Sequence, residues 1–454
     1  MFQVSKLASF ALIVVGLCPA WLLAQSAAPS ELAKYVARPD AVYAWTLEHN
    51  NDTDQGKILE FRLISQEWRG ITWTHQLRVY EPAGLQPEKM KTALLFITGG
   101  STDSKPSLED HTFAFTMAKA CGARVAVLPQ VPNQPLLNGK YEDDLIGETF
   151  VQYLKTQEAD VPLLFPMVKS AVRAMDAVQE WSRQTKVPVE GFVVTGASKR
   201  GWTTWLTGAS DGRVRGIAPM VIPTLNMKEQ SKHQLDSWGE YSEQIADYTR
   251  RGLTDIFDDP IGKQLWKMVD PYSYLDRIRM PILQINGTND RYWTVDSVRV
   301  FWDAIRGTSS HLVYLPNAGH GLDKNRDWAI QAVGALFRHI VAGVTMPRFD
   351  WSYSFDQTQP TVNLSELQPA PRQISLWAAR SANRDFREAE WKKIQSLDGA
   401  TKSPKFSFDL PNGEFVAMFA DLEYEFDGAR FHLSTPIAVF NETGELRPLP
   451  SPKP

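Results

Sequence analysis

Three residues in this chain have the types, and stand in the order, that nucleophilic acyl chemistry requires. Ser198 lies in Thr195-Gly196-Ala197-Ser198-Lys199-Arg200-Gly201, directly after the apolar run Gly191-Phe192-Val193-Val194. A tight strand-to-helix turn of this kind lifts a hydroxyl off the sheet edge and leaves the next N–H free to receive a developing oxyanion. Arg200 stands where the second glycine of a G-x-S-x-G elbow would be, and Gly201 comes one residue late. Glycine there lets the helix pass close to a neighbouring strand, so the arginine must point outward or face a small neighbour. Asp290 ends the run Met280-Pro281-Ile282-Leu283-Gln284-Ile285-Asn286-Gly287-Thr288-Asn289-Asp290, which reads as a buried strand entering a turn. His320 sits between Gly319 and Gly321, in a loop after the short strand His311-Leu312-Val313-Tyr314-Leu315. A serine hydroxyl becomes a good nucleophile when an imidazole takes its proton, and a carboxylate fixes the tautomer of that imidazole and stabilises its charged form. Asp296 and Asp323 are rivals for the acid, but both fall in or before predicted helices.

An oxyanion needs a second donor. Thr92-Ala93-Leu94-Leu95-Phe96-Ile97-Thr98 is an apolar strand leading into Gly99-Gly100-Ser101, placed like the HGGG loop of esterases with Thr98 at the histidine position. The N–H of Gly99 or Gly100 would then pair with that of Lys199, whose side chain either adds positive charge at the site or is solvated.

These elements predict an α/β fold of the α/β-hydrolase kind: a mostly parallel sheet, helices on both faces, helical cap insertions and a C-terminal β-sandwich. The strands 57–64 and 71–80 open it as an antiparallel pair. Candidates at 92–98, 124–129, 191–195, 214–222, 280–286 and 311–315 then alternate with helices, and such βαβ units give parallel strands with function at their C-terminal ends. The spacing predicts one helix over Thr294 to Arg306. Two excursions, 131–165 and 225–274, interrupt the pattern; they form a cap over the substrate or pack without touching it. His233, Trp238 and Tyr241 in the second are candidate pocket liners. Past about residue 345 the composition turns to short alternating strands at 349–353, 374–378, 406–410, 414–424 and 429–440, an immunoglobulin-like sandwich over 346–454 with Tyr424 at a possible corner. This module either binds carbohydrate or braces the rest, and a Pro-rich tail, 448–454, ends the chain.

Val194-Thr195-Gly196-Ala197-Ser198-Lys199-Arg200-Gly201-Trp202, Pro162-Leu163-Leu164-Phe165-Pro166-Met167-Val168-Lys169-Ser170-Ala171 and Ala379-Arg380-Ser381-Ala382-Asn383-Arg384-Asp385-Phe386-Arg387 resemble the PhoPQ-activated pathogenicity-related proteins over nearly all of the mature chain. The resemblance implies an α/β-hydrolase fold but no substrate, since that name records a regulon. The elbow is also a little similar to the Ser-Arg-x-Gly elbow of glucuronoyl esterases, with Lys199 in place of the arginine.

The chain has 454 residues, 43% hydrophobic and 22% charged, which suits a globular protein with a large core and two domains. A net charge of -4 gives no basic surface for phosphates, so no nucleic-acid partner is expected. Lys6, the apolar stretch Leu7 to Leu23 and the small residues Ala24 to Ala28 read as a cleaved signal peptide over 1–28, the alternative being an uncleaved anchor. The expected location is secreted or periplasmic, with no transmembrane segment after leader removal. Only Cys121 then remains, so no intrachain disulfide forms, and neither C-x-x-C nor H-E-x-x-H occurs, so no metal or cofactor is expected. The sequence therefore predicts an exported serine hydrolase acting on an ester or amide, a small-molecule, peptide or sugar-ester substrate. Its rival is a catalytically silent extracellular signalling or binding protein on the same scaffold.

Overall fold

The computed structural model describes residues 30–185, 187–305, 309–356 and 359–447. The leader, the Pro-rich tail and Arg306 lie outside the described residues. Nine strands form one sheet: β1 (Ala44–Thr53), β2 (Gly56–Trp68), β3 (Ile71–Pro82), β4 (Thr92–Ile97), β5 (Arg124–Leu128), β6 (Gly191–Ala197), β7 (Val214–Met220), β8 (Ile282–Gly287) and β9 (Ser310–Leu315), in the order β1-β2-β3-β5-β4-β6-β7-β8-β9. β1, β2 and β3 run antiparallel, β3 pairs antiparallel with β5, and β4 to β9 are parallel to one another.

The parallel strands are nearly all apolar because both faces are covered. Along β4, Ala93, Leu95 and Ile97 enter one core while Leu94 enters the other; β6 splits Phe192 and Val194 from Val193, and β9 splits Leu312 and Tyr314 from Val313 and Leu315. On the first face lie the contacting helices α1 (Glu31–Ala37), α4 (Leu164–Ser182) and α5 (Lys199–Ser210); α2 (Leu108–Cys121) packs with α10 (Arg326–Ala342) on the second. A reciprocal Ser107–Asp110 capping box starts α2, and Gly122 in the left-handed region stops it. This arrangement is an α/β-hydrolase fold.

Between β5 and β6 the first excursion contributes α3 (Glu142–Thr156) ahead of α4. Between β7 and β8 the second supplies α6 (Met227–Trp238), α7 (Ala246–Thr249) and α8 (Pro260–Val269). The helix expected over Thr294 to Arg306 is instead a 3-10 turn, Ser297–Val300, followed by the single turn α9 (Trp302–Ile305). The β-branched Thr294, Val295, Val298 and Val300 disfavour a longer helix.

The C-terminal strands are β10 (Arg348–Asp356), β11 (Gln359–Gln368), β12 (Gln373–Ser381), β13 (Lys392–Asp398), β14 (Lys405–Ser407), β15 (Phe415–Phe426), β16 (Ala429–Ser434), β17 (Ala438–Asn441) and β18 (Gly444–Leu446). They make two antiparallel sheets, β10-β11-β14 and β13-β12-β15-β17-β18 with β16 on β15. Tyr353 and Phe355 of the smaller sheet meet Phe440 of the larger one, as the two layers of a sandwich do. The run expected as one strand over 429–440 is broken at Pro436, which has no N–H to give a ladder. Tyr424 is not a corner: its hydroxyl is buried and bonds to nothing among the described residues, while its ring stacks on Phe431. The larger sheet covers the β9 edge, where Phe419 lies 5.4 Å from the Tyr314 ring and Ser434 Oγ accepts the Tyr314 N–H at 3.1 Å.

Candidate active site

Parallel β6, β7, β8 and β9 lie side by side, so residues following β6, β8 and β9 emerge at one sheet edge within three strand spacings, about 14 Å. Ser198 follows β6 directly, with φ 58° and ψ -126°. For a residue other than glycine that geometry costs on the order of 1–3 kcal/mol. Its neighbours impose it: the Ser198 N–H donates to the Met220 carbonyl at 2.9 Å, and the Ser198 carbonyl accepts the Trp202 N–H at 2.9 Å. A Cβ on Gly201 would come within 2.6 Å of Ile222 and 2.9 Å of the Met220 oxygen. Gly201 therefore provides the close approach to β7 that the G-x-S-x-G pattern assigns to position 200. The Ser198 N–H is already used, so the first free donor is the Lys199 N–H, in the opening turn of α5 at the positive end of its dipole.

Arg200 is buried rather than pointing outward. Its guanidinium donates to both carboxylate oxygens of Glu142, at 2.6 and 2.7 Å, and Nε donates to the Val131 carbonyl. The small neighbour that makes room is Gly99, where a Cβ would fall 2.5 Å from Nη2. Lys199 is also buried, with Nζ 2.9 Å from Glu142 and 3.1 Å from Asp143. Its side chain is thus neither solvated nor a free positive charge. Burial acts to raise the Glu142 carboxyl, but Arg200, then Lys199 and Gln134, outweigh it and hold the group at about 2. The N–H groups of Gly99 and Gly100 donate to no carbonyl among the described residues, and Gly100 has φ 105°.

Asp290 and His320 are brought together. Asp290 Oδ2 accepts the Nδ1–H of His320 at 2.7 Å, and Oδ1 accepts the Tyr292 N–H at 2.8 Å. With Nδ1 as donor, Nε2 of the neutral ring is the basic nitrogen. That Nε2 has no partner among the described residues, the Ser198 hydroxyl included. The Tyr292 ring stacks on the imidazole at 4.0 Å. Burial, then the Asp143 and Asp290 carboxylates, pushes the Tyr292 phenol up to about 12. The two loops are stitched together: Asn317 N–H donates to Thr288 Oγ1 at 2.8 Å, and Asn289 N–H to the Ala318 carbonyl at 2.9 Å. Of the rival acids, Asp323 accepts the Gly319 N–H and so shapes the histidine loop, whereas Asp296 bonds His233 and Arg384.

Ser198 and Tyr292 line one cavity with Asp143, Lys199, Trp202, Met227, Tyr248, Trp266 and Trp293. Its interior is about 50 Å³, room for only a few non-hydrogen atoms. The second excursion supplies much of this wall, through Met227, Ser231, Ile245, Tyr248, Thr254, Phe257 and Trp266. The three candidate liners from it, His233, Trp238 and Tyr241, are not among the residues around this cavity. His233 Nε2 is bonded to buried Asp296, Trp238 lies under the Arg387 guanidinium at 4.2 Å, and Tyr241 packs against the core. Sequence reasoning missed Glu142, Asp143 and Tyr292. The signal available for the first two was an acidic run, Glu142-Asp143-Asp144, matching the basic pair Lys199-Arg200 in a chain that buries both. Among the described residues, no three His, Cys, Asp or Glu side chains gather to hold a metal, and no helix is long and apolar enough to cross a membrane.

Compared with known proteins, residues 32–387 match the sequence model of the PhoPQ-activated pathogenicity-related proteins. The chain belongs to that family. A curated relative of this family member, autocrine proliferation repressor protein A of Dictyostelium discoideum, is 35% identical over 428 residues, covering 87% of this chain and 85% of the relative. Among solved structures, acetyl xylan esterase 1 from Thermoanaerobacterium sp. is similar at 17% identity and TM-score 0.47, covering 68% of this chain and 94% of that one. The glucuronoyl esterase from Solibacter usitatus is similar at 14% identity and TM-score 0.44, covering 68% and 91%.

Proposed function

We propose that this chain is an exported serine hydrolase that cleaves a carboxylic ester or amide through an acyl-enzyme, its leader removed from residues 1–28 and its hydrolase domain followed by a sandwich domain from about residue 346. In this reading Ser198 Oγ attacks the acyl carbon while His320 Nε2 takes its proton. The N–H groups of Lys199 and of Gly99 or Gly100 hold the oxyanion, and Asp290 orients the imidazole and balances its charge. The intermediate collapses as His320 returns the proton to the departing alcohol or amine. Water then attacks the acyl-enzyme by the same relay, releasing the acid and restoring Ser198. Proton transfer and acyl exchange need no cofactor.

One observation carries the reading: a histidine whose Nδ1 is committed to a buried carboxylate and whose Nε2 is left unpartnered, at the same sheet edge as a serine held in a strained elbow. The Ser198–His320 contact would close on substrate binding, as catalytic hydrogen bonds commonly tighten in the complex. The cramped aromatic cavity favours a short acyl group over a long chain. Hydrolysis of p-nitrophenyl acetate, octanoate and the matching anilides by wild type and Ser198→Ala tests this. Acetate turnover that vanishes in a folded Ser198→Ala supports the reading, whereas turnover retained in the variant overturns it.

The second reading is a silent signalling protein on the same scaffold, favoured by the relative named for repressing proliferation. Absence of turnover and of active-site labelling in folded wild type would select it.

A further inference from the structure

The segment between β12 and β13 belongs to the C-terminal strands, yet it touches each of the loops that carry the proposed acid and base. Asn289, next to Asp290, donates through Nδ2 to the carbonyls of Arg387 at 3.2 Å and Ala389 at 2.8 Å, while its Oδ1 accepts the Thr288 hydroxyl at 2.7 Å. Asn317, in the histidine loop with φ 59°, makes a reciprocal pair with the backbone of Trp391: Nδ2 donates to its carbonyl at 2.9 Å and Oδ1 accepts its N–H at 2.8 Å. Two amide side chains therefore bind main chain from a part of the molecule 74 to 100 residues away. The segment is itself anchored, because Phe386 and Trp391 are buried and Trp391 packs 5.5 Å from Phe419 of β15. Its charged residues reach the second excursion as well. Arg384 binds Asp296, the partner of the excursion's His233, at 3.1 Å, Arg387 binds Glu243 at 3.0 Å and covers Trp238, and Arg291, beside the acid, binds Glu243 and Glu388.

We infer that residues 384–391 form a clamp, and that Asn289 and Asn317 are positioning residues that fix the spacing of the Asp290 turn and the His320 loop. The inference rests on the proposed serine-hydrolase function, and it makes the C-terminal strands part of the catalytic unit rather than a detachable carbohydrate-binding module. A loop side chain must be held to within about half an ångström to do acyl chemistry, and loops get such rigidity from the hydrogen bonds around them. An isolated two-glycine loop such as Gly319-His320-Gly321 has little stiffness of its own. Here Trp391, through Asn317, adds to the hold that Asp323 and the Asp290 turn already have on the loop.

Full-length Asn289→Ala, Asn317→Ala and the double variant test the inference by two readings, p-nitrophenyl acetate kinetics and amide hydrogen exchange. Expected are a kcat lowered at least tenfold with KM held within twofold, and faster exchange confined to 288–291 and 316–321. The double variant should lose no more than about the larger single, since both act on one network. If Asn317→Ala does not fold, Asn317→Asp, which keeps an acceptor for the Trp391 N–H, takes its place. Exchange and kcat unchanged within twofold in folded variants would overturn the clamp, as would a general rise in exchange across the chain. Should wild type show neither turnover nor active-site labelling, the serine-hydrolase reading fails separately, and the exchange pattern alone still decides the clamp.

Discussion

Two histidine–aspartate pairs lie in this molecule with the same 2.7 Å hydrogen bond, His320–Asp290 and His233–Asp296, and their surroundings give them different work. The His233 side chain is 4% exposed and sits within helix α6, while that of His320 is 22% exposed on a loop after β9. The second oxygen of Asp296 meets Arg384, and although burial acts to raise that carboxyl, His233 and Arg384 hold it well below the usual range. That pair is a neutralised strut between the second excursion and the C-terminal strands. Asp290 accepts a backbone N–H with its second oxygen instead, and among the described residues no arginine or lysine pairs with it. A His–Asp bond by itself therefore says nothing of chemistry; what matters is which atoms it leaves uncommitted.

Exchanging the duties of the two pairs by mutation tests that distinction. Ser198→Ala and His320→Ala should each lower ester turnover by roughly 10⁵–10⁶ with unchanged thermal unfolding. Asp290→Asn should cost about 10⁴ in kcat, again with little change in Tm. In Asp296→Asn the effects reverse: stability falls by about 3 kcal/mol in denaturant unfolding, because the half-buried Arg384 loses its buried carboxylate partner, while kcat per folded molecule stays within a few-fold. Equal activity losses in the two Asp→Asn variants would erase the contrast.

Histidines with no carboxylate sharpen it further. Burial lowers His75 to about 4, and burial, then His339 and Arg348, lowers His311 to about 4. Both stay neutral in the folded state, so the unfolded chain binds more protons and stability is lost as pH falls from about 6.5 toward 4, by roughly 3 kcal/mol per histidine. His75→Gln should flatten that slope in urea titrations. The smallest expected effect is Glu142→Gln, about 2 kcal/mol at neutral pH, since the lost carboxylate is partly open to solvent. Its folded-state value near 2 places the loss of that contribution in wild type between about pH 4.5 and 2, below the histidine window.

How much of this was legible in the sequence depends on how local the cause is. Strands β4 to β9 announce themselves because burial on both faces makes each a short continuous apolar run. The turns bearing Ser198, Asp290 and His320 are marked by glycines at strand ends. β1 and β13 carry no such mark: their segments Ala44–Thr53 and Lys392–Asp398 are largely exposed and polar, and only pairing with a neighbour makes them strands. Arg200 was legible as a conflict, an arginine where glycine was wanted, but Gly99 and Glu142 resolve it from 101 and 58 residues away. The pocket aromatics Tyr248 and Tyr292 and the clamp at 384–391 depend on contacts between distant segments, which no spacing records.

Central to the account is a Ser198 hydroxyl activated by His320. Wild type treated with a fluorophosphonate and digested for mass spectrometry should carry the adduct on the Ser198 peptide, and His320→Ala should not. An adduct on another residue, or equal labelling of Ser198 in folded His320→Ala, would contradict it.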